Sequence, residues 1–278
     1  MFGSVAAKYT EIDWYDTPLY YDIIFDTDTG MEADFLEAAR ERYSTARTSG
    51  GSTNKSRGRV LEPACGSGRL VVELAKRGWD VCGVDLNQAM LDYARDRLPA
   101  RLRPRVKLKA ADMADFRVPG RYDLAHCLVS SFKYLASESA ARSHLQSVAA
   151  ALKIGGIYVL GLHLSEYEDQ RRSREKWTGE RDGVQVQCMI EGWPPNRRQR
   201  TEAVRSRLRV TNPDGSRLQN ETNWSFRTYD DRQLGKLLKS VPEFELVAVH
   251  DFSYDFTREH TLEDEQLAAG RDAQPTAG

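Results

Sequence analysis

The chain has 278 residues, 40% hydrophobic and 29% charged, which is enough apolar material for one large α/β domain or a domain with an elaborate insertion. Its formal net charge of −1 gives no global pull toward nucleic acid or membrane, although a local patch could still act. The four cysteines, Cys65, Cys82, Cys127 and Cys188, form no CxxC pair, which removes the usual zinc and redox motifs and suits buried free thiols in a reducing compartment.

Residues 1–30 are rich in aromatic and acidic side chains, among them Tyr9, Trp14, Tyr15, Tyr20, Tyr21 and Phe25. They read as short helices and turns, not as a strand. Met31, Phe35, Leu36 and Ala39 recur at helical spacing and predict a helix over 31–45. Residues 46–58 are small, polar and basic, the composition of a flexible loop. From Val60 strands and helices alternate. A short strand is expected to begin at Val60–Leu61 and run into a glycine turn, with further strands at 80–84, 105–110, 122–129 and 157–162. Helices are expected at 69–77, 87–97 and 138–152, with Gly155–Gly156 turning the chain into the fifth strand. That alternation implies a parallel sheet with right-handed crossovers.

After residue 165 the texture shifts. A polar helix is expected over 165–177, followed by three runs of period-two alternation at 183–191, 202–211 and 217–227. Asn212-Pro213-Asp214-Gly215 joins the last two as a hairpin turn. A helix at 230–240 and a strand at 244–251 would close the main sheet. Residues 259–278 read as a frayed tail. No apolar stretch is long enough to span a membrane, and the N-terminus turns acidic too early for a secretory signal, so a cytoplasmic protein is expected.

Two features carry chemistry. Residues 60–69, VLEPACGSGR, run from a strand through a turn containing Gly66 and Gly68 into a helix, and glycine lets backbone approach a ligand closely. Asp85, in GVDLNQAML, ends the second strand, where a carboxylate can accept both hydroxyls of a ribose. In an open parallel sheet these features meet at the carboxyl ends of the strands. A dinucleotide fingerprint needs glycine at 71, where Val71 stands, and a P-loop needs Gly-Lys after the turn, where Arg69 and Leu70 follow Gly68. Glu62 at the tip of the first strand would repel a pyrophosphate and suit a positively charged ligand.

LEPACGSGR, GVDLNQAML, Asp112 in KAADMADF, YDLAHCLVSSFKYL (122–135) and KIGGIYVL (153–160) together resemble the motifs of class I S-adenosylmethionine-dependent methyltransferases over residues 60–162. Residues 227–252 resemble the family's final helix and strand. The resemblance implies that Glu62 and the backbone at Ala64, Gly66 and Gly68 hold a methionine moiety. It implies Asp85 on the ribose, Leu86 and Met90 lining the adenine, Asp112 on the exocyclic amine with the Met113 N–H facing the ring, and Leu128 near the amino group. No Asn-Pro-Pro-Tyr tetrad follows the fourth strand, which disfavours the enzymes that use it on amino bases and glutamine.

Plainer readings compete. Asp85 could be a helix cap, with Asn87 a rival for that position. Cys65 suits a small filler. His126 fits a core histidine. His163, at the end of the fifth strand, and Tyr134, after the fourth, are the catalytic candidates. Tyr15, Tyr21 and Glu166 are candidates to touch substrate, the tyrosines as part of an aromatic lid. Arg205, Arg207 and Arg209 share one strand face, opposite Gln219 and Glu221, so cross-strand pairing explains the arginine run without a ligand.

The expectation is a doubly wound, mostly parallel Rossmann-like sheet with an antiparallel addition after the fifth strand. Its parts are a helical lid and loop (1–58), a cofactor-binding core (59–164), an antiparallel cover (165–228), a closing helix and strand (229–258) and a tail (259–278). The function expected is methyl transfer from S-adenosylmethionine to a small-molecule amine or hydroxyl, with no metal. The alternatives are an RNA or protein methyltransferase docking through Arg197–Arg209, and a non-catalytic protein that binds the cofactor. The partners expected are the methyl acceptor and, as one possibility, a second copy of the chain.

Overall fold

The computed structural model describes residues 9–46, 56–258 and 260–263. The loop expected at 46–58 and the tail expected at 259–278 lie largely outside the described residues. Two sheets organise the rest. The first holds β2 (Arg59–Pro63), β3 (Asp80–Asp85), β4 (Val106–Ala110), β5 (Tyr122–Cys127) and β6 (Leu152–Leu160) in the order β4-β3-β2-β5-β6, every neighbouring pair parallel. The chain steps outward from β2 through β3 to β4, then returns to the other side for β5 and β6. The reversal lies between β2 and β5, the place where open α/β sheets bind ligands.

Alternate residues on the strands face opposite layers. Val60, Val81 and Leu124 pack with Leu36 of α2 (Thr29–Tyr43), Leu70 and Leu74 of α3 (Arg69–Lys76) and Leu91 of α4 (Gln88–Arg97). Leu61, Cys82 and Ala125 pack with Val148 and Ala151 of α5 (Glu138–Ala151) on the other side. Leu234 and Leu237 of α6 (Asp231–Lys239) join Leu145 and Tyr229 in an adjoining cluster. The sheet is therefore covered on both faces, as its nearly continuous apolar strands require.

The second sheet holds β7 (Ser173–Arg181), β8 (Val184–Gly192), β9 (Thr201–Thr211) and β10 (Arg217–Arg227), antiparallel between neighbours, and β1 (Thr10–Glu11), in the order β1-β10-β9-β8-β7. Its inner face, with Val186, Cys188, Leu208 and Val210, packs on Trp14, Ile23 and Ile24 of the N-terminal segment. That segment comprises a short 3-10 turn, Trp14–Asp16, and α1 (Pro18–Phe25).

Four expectations fail. Residues 165–177 are not a helix: β7 begins at Ser173 and pairs with β8 through an Asp182-Gly183 turn in which both residues have positive φ. That Asp-Gly pair is itself a strong hairpin signal, and Gly179 inside the run disfavours a helix. Residues 244–251 form no strand. Side-chain anchors hold this stretch in place of a backbone ladder: His250 bonds the Tyr43 hydroxyl at 2.9 Å and Phe256 stacks on Phe35. An apolar cavity of about 220 Å³, lined among others by Leu160, Leu238 and Val247, lies beside β6 there. The N-terminal segment does contribute a strand, the two-residue β1 (Thr10–Glu11), parallel to β10. Gly155 and Gly156 also differ in place: they sit within β6, at a bulge where the register passes from Tyr122–Leu152 to Leu124–Ile157. Among the described residues no helix is long and apolar enough to cross a membrane.

Candidate functional site

The site starts from backbone conformation. Between β2 and α3, Ala64, Gly66 and Gly68 all take positive φ, at 57°, 51° and 72°. A β-carbon on Gly68 would lie 2.8 Å from that of Ala94, so glycine there lets α3 and α4 approach. A β-carbon on Gly66 would meet nothing within 4 Å, so its backbone borders open space. The Cys65 N–H donates to the Val84 carbonyl at 3.0 Å, docking the turn on β3. Cys65 itself is buried with its thiol pKa pushed up by burial, the state of a filler and not of a nucleophile.

That docking brings Asp85 to the turn. The Gly66 N–H donates to its Oδ2 at 2.7 Å and the Asn87 N–H to its Oδ1 at 2.9 Å. Burial raises the Asp85 pKa, and the backbone donors at Asn87, Gly66 and Leu86 work against that rise. Each oxygen keeps a second lone pair for a ligand hydroxyl. The capping position of α4 belongs to Asn87, whose side chain accepts from the Met90 N–H at 3.0 Å.

Glu62 is the unusual member. It is the last residue but one of β2, opposite Gly83 of β3, and is 7% exposed. Its Oε2 has no hydrogen-bond partner, and the nearest cationic candidate, His126 Nε2, stands 3.9 Å away. Burial lowers the His126 pKa to about 3, with Arg69 adding to the effect, so that ring is neutral. Arg69 is close enough to favour the charge on Glu62, but its own ion pair is with Glu32. Burial dominates and lifts the Glu62 pKa well above the ordinary carboxylate range. A buried acid with an open lone pair is what a ligand ammonium would complete.

The other expected cofactor residues divide. Leu86, beside Asp85, is 73% exposed and offers an apolar surface a ring could cover. Met90 is fully buried and presents no open surface, which corrects its expected place against adenine. Asp112 is exposed and its Oδ1 accepts the Ala114 N–H at 2.8 Å. The Met113 carbonyl bonds His144 Nδ1 at 2.8 Å, and His144 Nε2 bonds the Tyr158 hydroxyl at 2.7 Å. With Nδ1 donating to a carbonyl, Nε2 must accept. A buried histidine thus fixes the loop that follows β4. Leu128 is buried and its carbonyl accepts the Ser131 N–H at 3.3 Å. Val129 and Ser130 then take positive φ, a rare conformation for a β-branched residue and a place where strain is stored.

The N-terminal segment, expected as a lid, packs its aromatic rings nearby. The Tyr15 hydroxyl donates to the Tyr134 hydroxyl at 2.7 Å, and Tyr15 and Tyr21 pack with ring centroids 5.4 Å apart. Burial pushes the Tyr21 pKa to about 12, with Arg69 opposing and Asp85 reinforcing the rise. The Asn87 amide donates to Asp16 at 2.8 Å, tying the lid to the start of α4. Between lid and cover is a cavity of about 440 Å³ walled by Trp14, Tyr15, Tyr134 and Trp224, with Glu11 and Asp13 on its border. Burial raises the pKa of both Tyr15 and Tyr134, which stay neutral phenols.

Three candidates stand apart from that cavity's lining: Tyr21, which packs behind Tyr15, His163 and Glu166. His163 is exposed and stacks on Phe252 at 4.3 Å. Glu166 accepts the Glu168 N–H at 3.1 Å in a local turn. The arginine run is largely neutralised: Arg205 pairs with Glu191 and Arg207 with Glu221, each at 2.6 Å, Arg200 pairs with Glu138, and Arg209 bonds the Tyr9 hydroxyl. Sequence reasoning missed Arg69 and Asp22. The second had a readable signal, an acid amid the apolar residues of PLYYDIIF.

A family profile described as a methyltransferase domain matches residues 60–156, the segment that builds the glycine turn, Asp85 and Asp112. Residues 60–156 form a methyltransferase domain. The magnesium-protoporphyrin O-methyltransferase of Rhodobacter capsulatus is 41% identical over 80 residues, 29% of this chain and 35% of that protein. The dTDP-3-amino-3,4,6-trideoxy-alpha-D-glucopyranose N,N-dimethyltransferase of Streptomyces venezuelae is 28% identical over 150 residues, 54% of this chain and 57% of that protein. The chain thus spans between about a third and just over half of the length of the curated relatives it matches. Over most of the chain the fold of this methyltransferase domain and its additions is similar to Streptomyces venezuelae DesVI, with a TM-score of 0.62 at 20% identity, covering 84% of this chain and 91% of that one. The sugar N-methyltransferase KedS8 from Streptoalloteichus sp. gives 0.62 at 20% identity, covering 87% and 89%.

Proposed function

We propose that the chain transfers a methyl group from S-adenosylmethionine to an amine on a small molecule. The observation that carries the cofactor is Glu62, a buried carboxylate with an unfilled lone pair at the tip of β2, with Asp85 held open at the tip of β3. The two acids would take the ammonium and the ribose hydroxyls of one ligand lying across the strand ends. When bound, that ligand supplies an electrophilic methyl on a sulfonium leaving group. Asp112 and Leu86 are proposed at its adenine end.

The acceptor is proposed to enter the cavity between lid and cover. Its aromatic walls and the carboxylates of Glu11 and Asp13 suit a cationic amine over an anion. Tyr15 and Tyr134, kept protonated by burial, would orient the acceptor by hydrogen bonds, not remove its proton. Alignment would supply much of the rate. An amine needs no enzyme base once neutral, whereas a hydroxyl does. The named relatives acting on amino sugars support the amine, while the pairing of Arg205 and Arg207 speaks against docking RNA on that strand.

The test is calorimetry with S-adenosylmethionine, followed by an assay of S-adenosylhomocysteine release across panels of small amines and alcohols. Saturable binding and release with amines, faster as pH rises through the acceptor's own pKa, are expected. Absence of cofactor binding would overturn the reading. Turnover confined to alcohols would overturn the acceptor class.

A further inference from the structure

Beside the cofactor turn, one buried side chain joins four parts of the chain. Asp22, on the lid helix α1, has no exposed surface. Ser67, which stands between the two glycines of the turn, donates its hydroxyl to Asp22 Oδ1 at 2.5 Å. Arg97, the last residue of α4, donates to the same oxygen and reaches the Ser67 carbonyl at 3.4 Å. Arg181, the last residue of β7, donates to Oδ2 at 2.6 Å, as does the Tyr93 hydroxyl at 3.2 Å. Asp26, one helical turn on, pairs with Arg97 at 2.8 Å and Arg181 at 3.5 Å. Burial works against the charge on Asp26, but the Thr29 hydroxyl and the Arg97 guanidinium overcome it and hold its pKa below the usual range.

Two carboxylates face two guanidiniums, so the cluster is neutral and saturated and leaves no charge for a ligand. An apolar residue at position 22 would serve packing better, since burying an ion pair gains little stability by itself. What the cluster provides is registry. It ties the cofactor turn (Ser67), the lid (Asp22), α4 (Arg97) and the edge strand of the acceptor cover (Arg181) through one group. Tyr21, the neighbour of Asp22 in α1, carries that registry to the aromatic wall at Tyr15.

We propose that Asp22 is a positioning residue that couples the cofactor turn to the acceptor cover, so that filling the turn orders the lid and β7. This rests on the reading that the turn holds S-adenosylmethionine.

The test is backbone hydrogen exchange of the full chain with and without S-adenosylhomocysteine. In the wild type, ligand should slow exchange at residues 62–68, in α1 and at residues 173–186, by roughly ten-fold. Arg181→Gln, which cuts only the arm to the sheet, should keep the protection at 62–68 and lose it at 173–186, and Arg181→Lys should restore it. Asp22→Asn should lose both distant responses. Protection confined to 62–68 in the wild type would overturn the coupling and leave the cofactor site standing. Equal loss at 62–68 and 173–186 in Arg181→Gln would make that residue a general support and also overturn it. No protection anywhere would sink the cofactor reading itself.

Discussion

Glu62 and Glu221 are the same residue type, both on strands, in opposite circumstances. Glu221, on the outer face of the cover sheet, accepts Arg207 at 2.6 Å, and that hydrogen bond holds its pKa below the usual range. Glu62, at the tip of β2, has an oxygen with no partner and a pKa driven up by burial. The cover sheet resolves its charges in pairs across neighbouring strands. The core leaves one acid unresolved at the reversal of strand order. A buried acid without a partner is a cost the fold carries, and it becomes intelligible where a cationic ligand draws out its ionised form and completes it.

The largest effect should come from breaking the core side of this contrast. Glu62→Gln should weaken S-adenosylmethionine binding by about 3 kcal/mol, the scale of removing one partner of a buried charged pair. It should leave the ligand-free protein as stable as before or more so. The sign follows from the raised pKa. Glu62 folds best protonated, so the ligand-free wild type loses stability as pH rises from the ordinary carboxylate range toward the raised value, and Glu62→Gln should abolish that loss. Ligand binding has the reverse slope. An ammonium needs the ionised acid, so affinity should climb with pH through the same window and then level off. Calorimetry and thermal unfolding across pH check both, and pH-independent affinity would refute the ammonium at Glu62.

Next in size is Asp85→Ala, expected to weaken cofactor binding by about 1–3 kcal/mol through lost hydrogen bonds to a charged group. The Gly66 N–H loses its acceptor as well, so some of the loss will reflect a looser turn. Unchanged affinity would remove Asp85 from the site. His163→Ala should follow: standing apart from the acceptor cavity and stacked on Phe252, this ring should change turnover by less than about three-fold, roughly 0.6 kcal/mol, and leave cofactor affinity unaltered. Its exposure and its stacking on Phe252 limit the effect, and equal loss in turnover and affinity would mark it as structural.

The contrast also explains what was legible in the sequence. The core follows local rules: apolar strands, glycines where φ is positive, and an acid after each of the first two strands. The turn at Gly66 and the places of Glu62 and Asp85 on neighbouring strands could therefore be read residue by residue. Met90 could not, because facing inward or toward a ligand within one helical turn depends on tertiary packing. The cover was read less well. Ser173–Arg181 is charged on both faces of its alternation, so its inner row of Glu175, Trp177 and Gly179 gives a weak period, and only Asp182-Gly183 marks it as half of a hairpin. Residues 244–251 have the composition of a strand, yet the anchors at Phe35 and Tyr43 are remote in sequence and left no trace in the local pattern. Asp22 stood out as a polar residue on an apolar helix, but its partners at 67, 97 and 181 come from elements whose placement no spacing reveals.

The smallest effect should come from the paired side. Arg207→Gln removes the partner of Glu221, but that glutamate stays near solvent and near Arg205, whose Nε lies 3.9 Å from it. Exposed and half-exposed pairs contribute under about 1 kcal/mol, and salt screens them further. The variant should therefore unfold within that margin of the wild type, bind the cofactor equally well and keep its turnover on any small acceptor. If this face instead served a nucleic acid, the same substitution would weaken binding to duplex or single-stranded RNA and flatten its salt dependence by about one counterion. A filter-binding titration at several salt concentrations separates the two. A salt-dependent affinity lost in Arg207→Gln would turn the cover sheet from a closed charge ladder into a docking face, and with it the choice of acceptor.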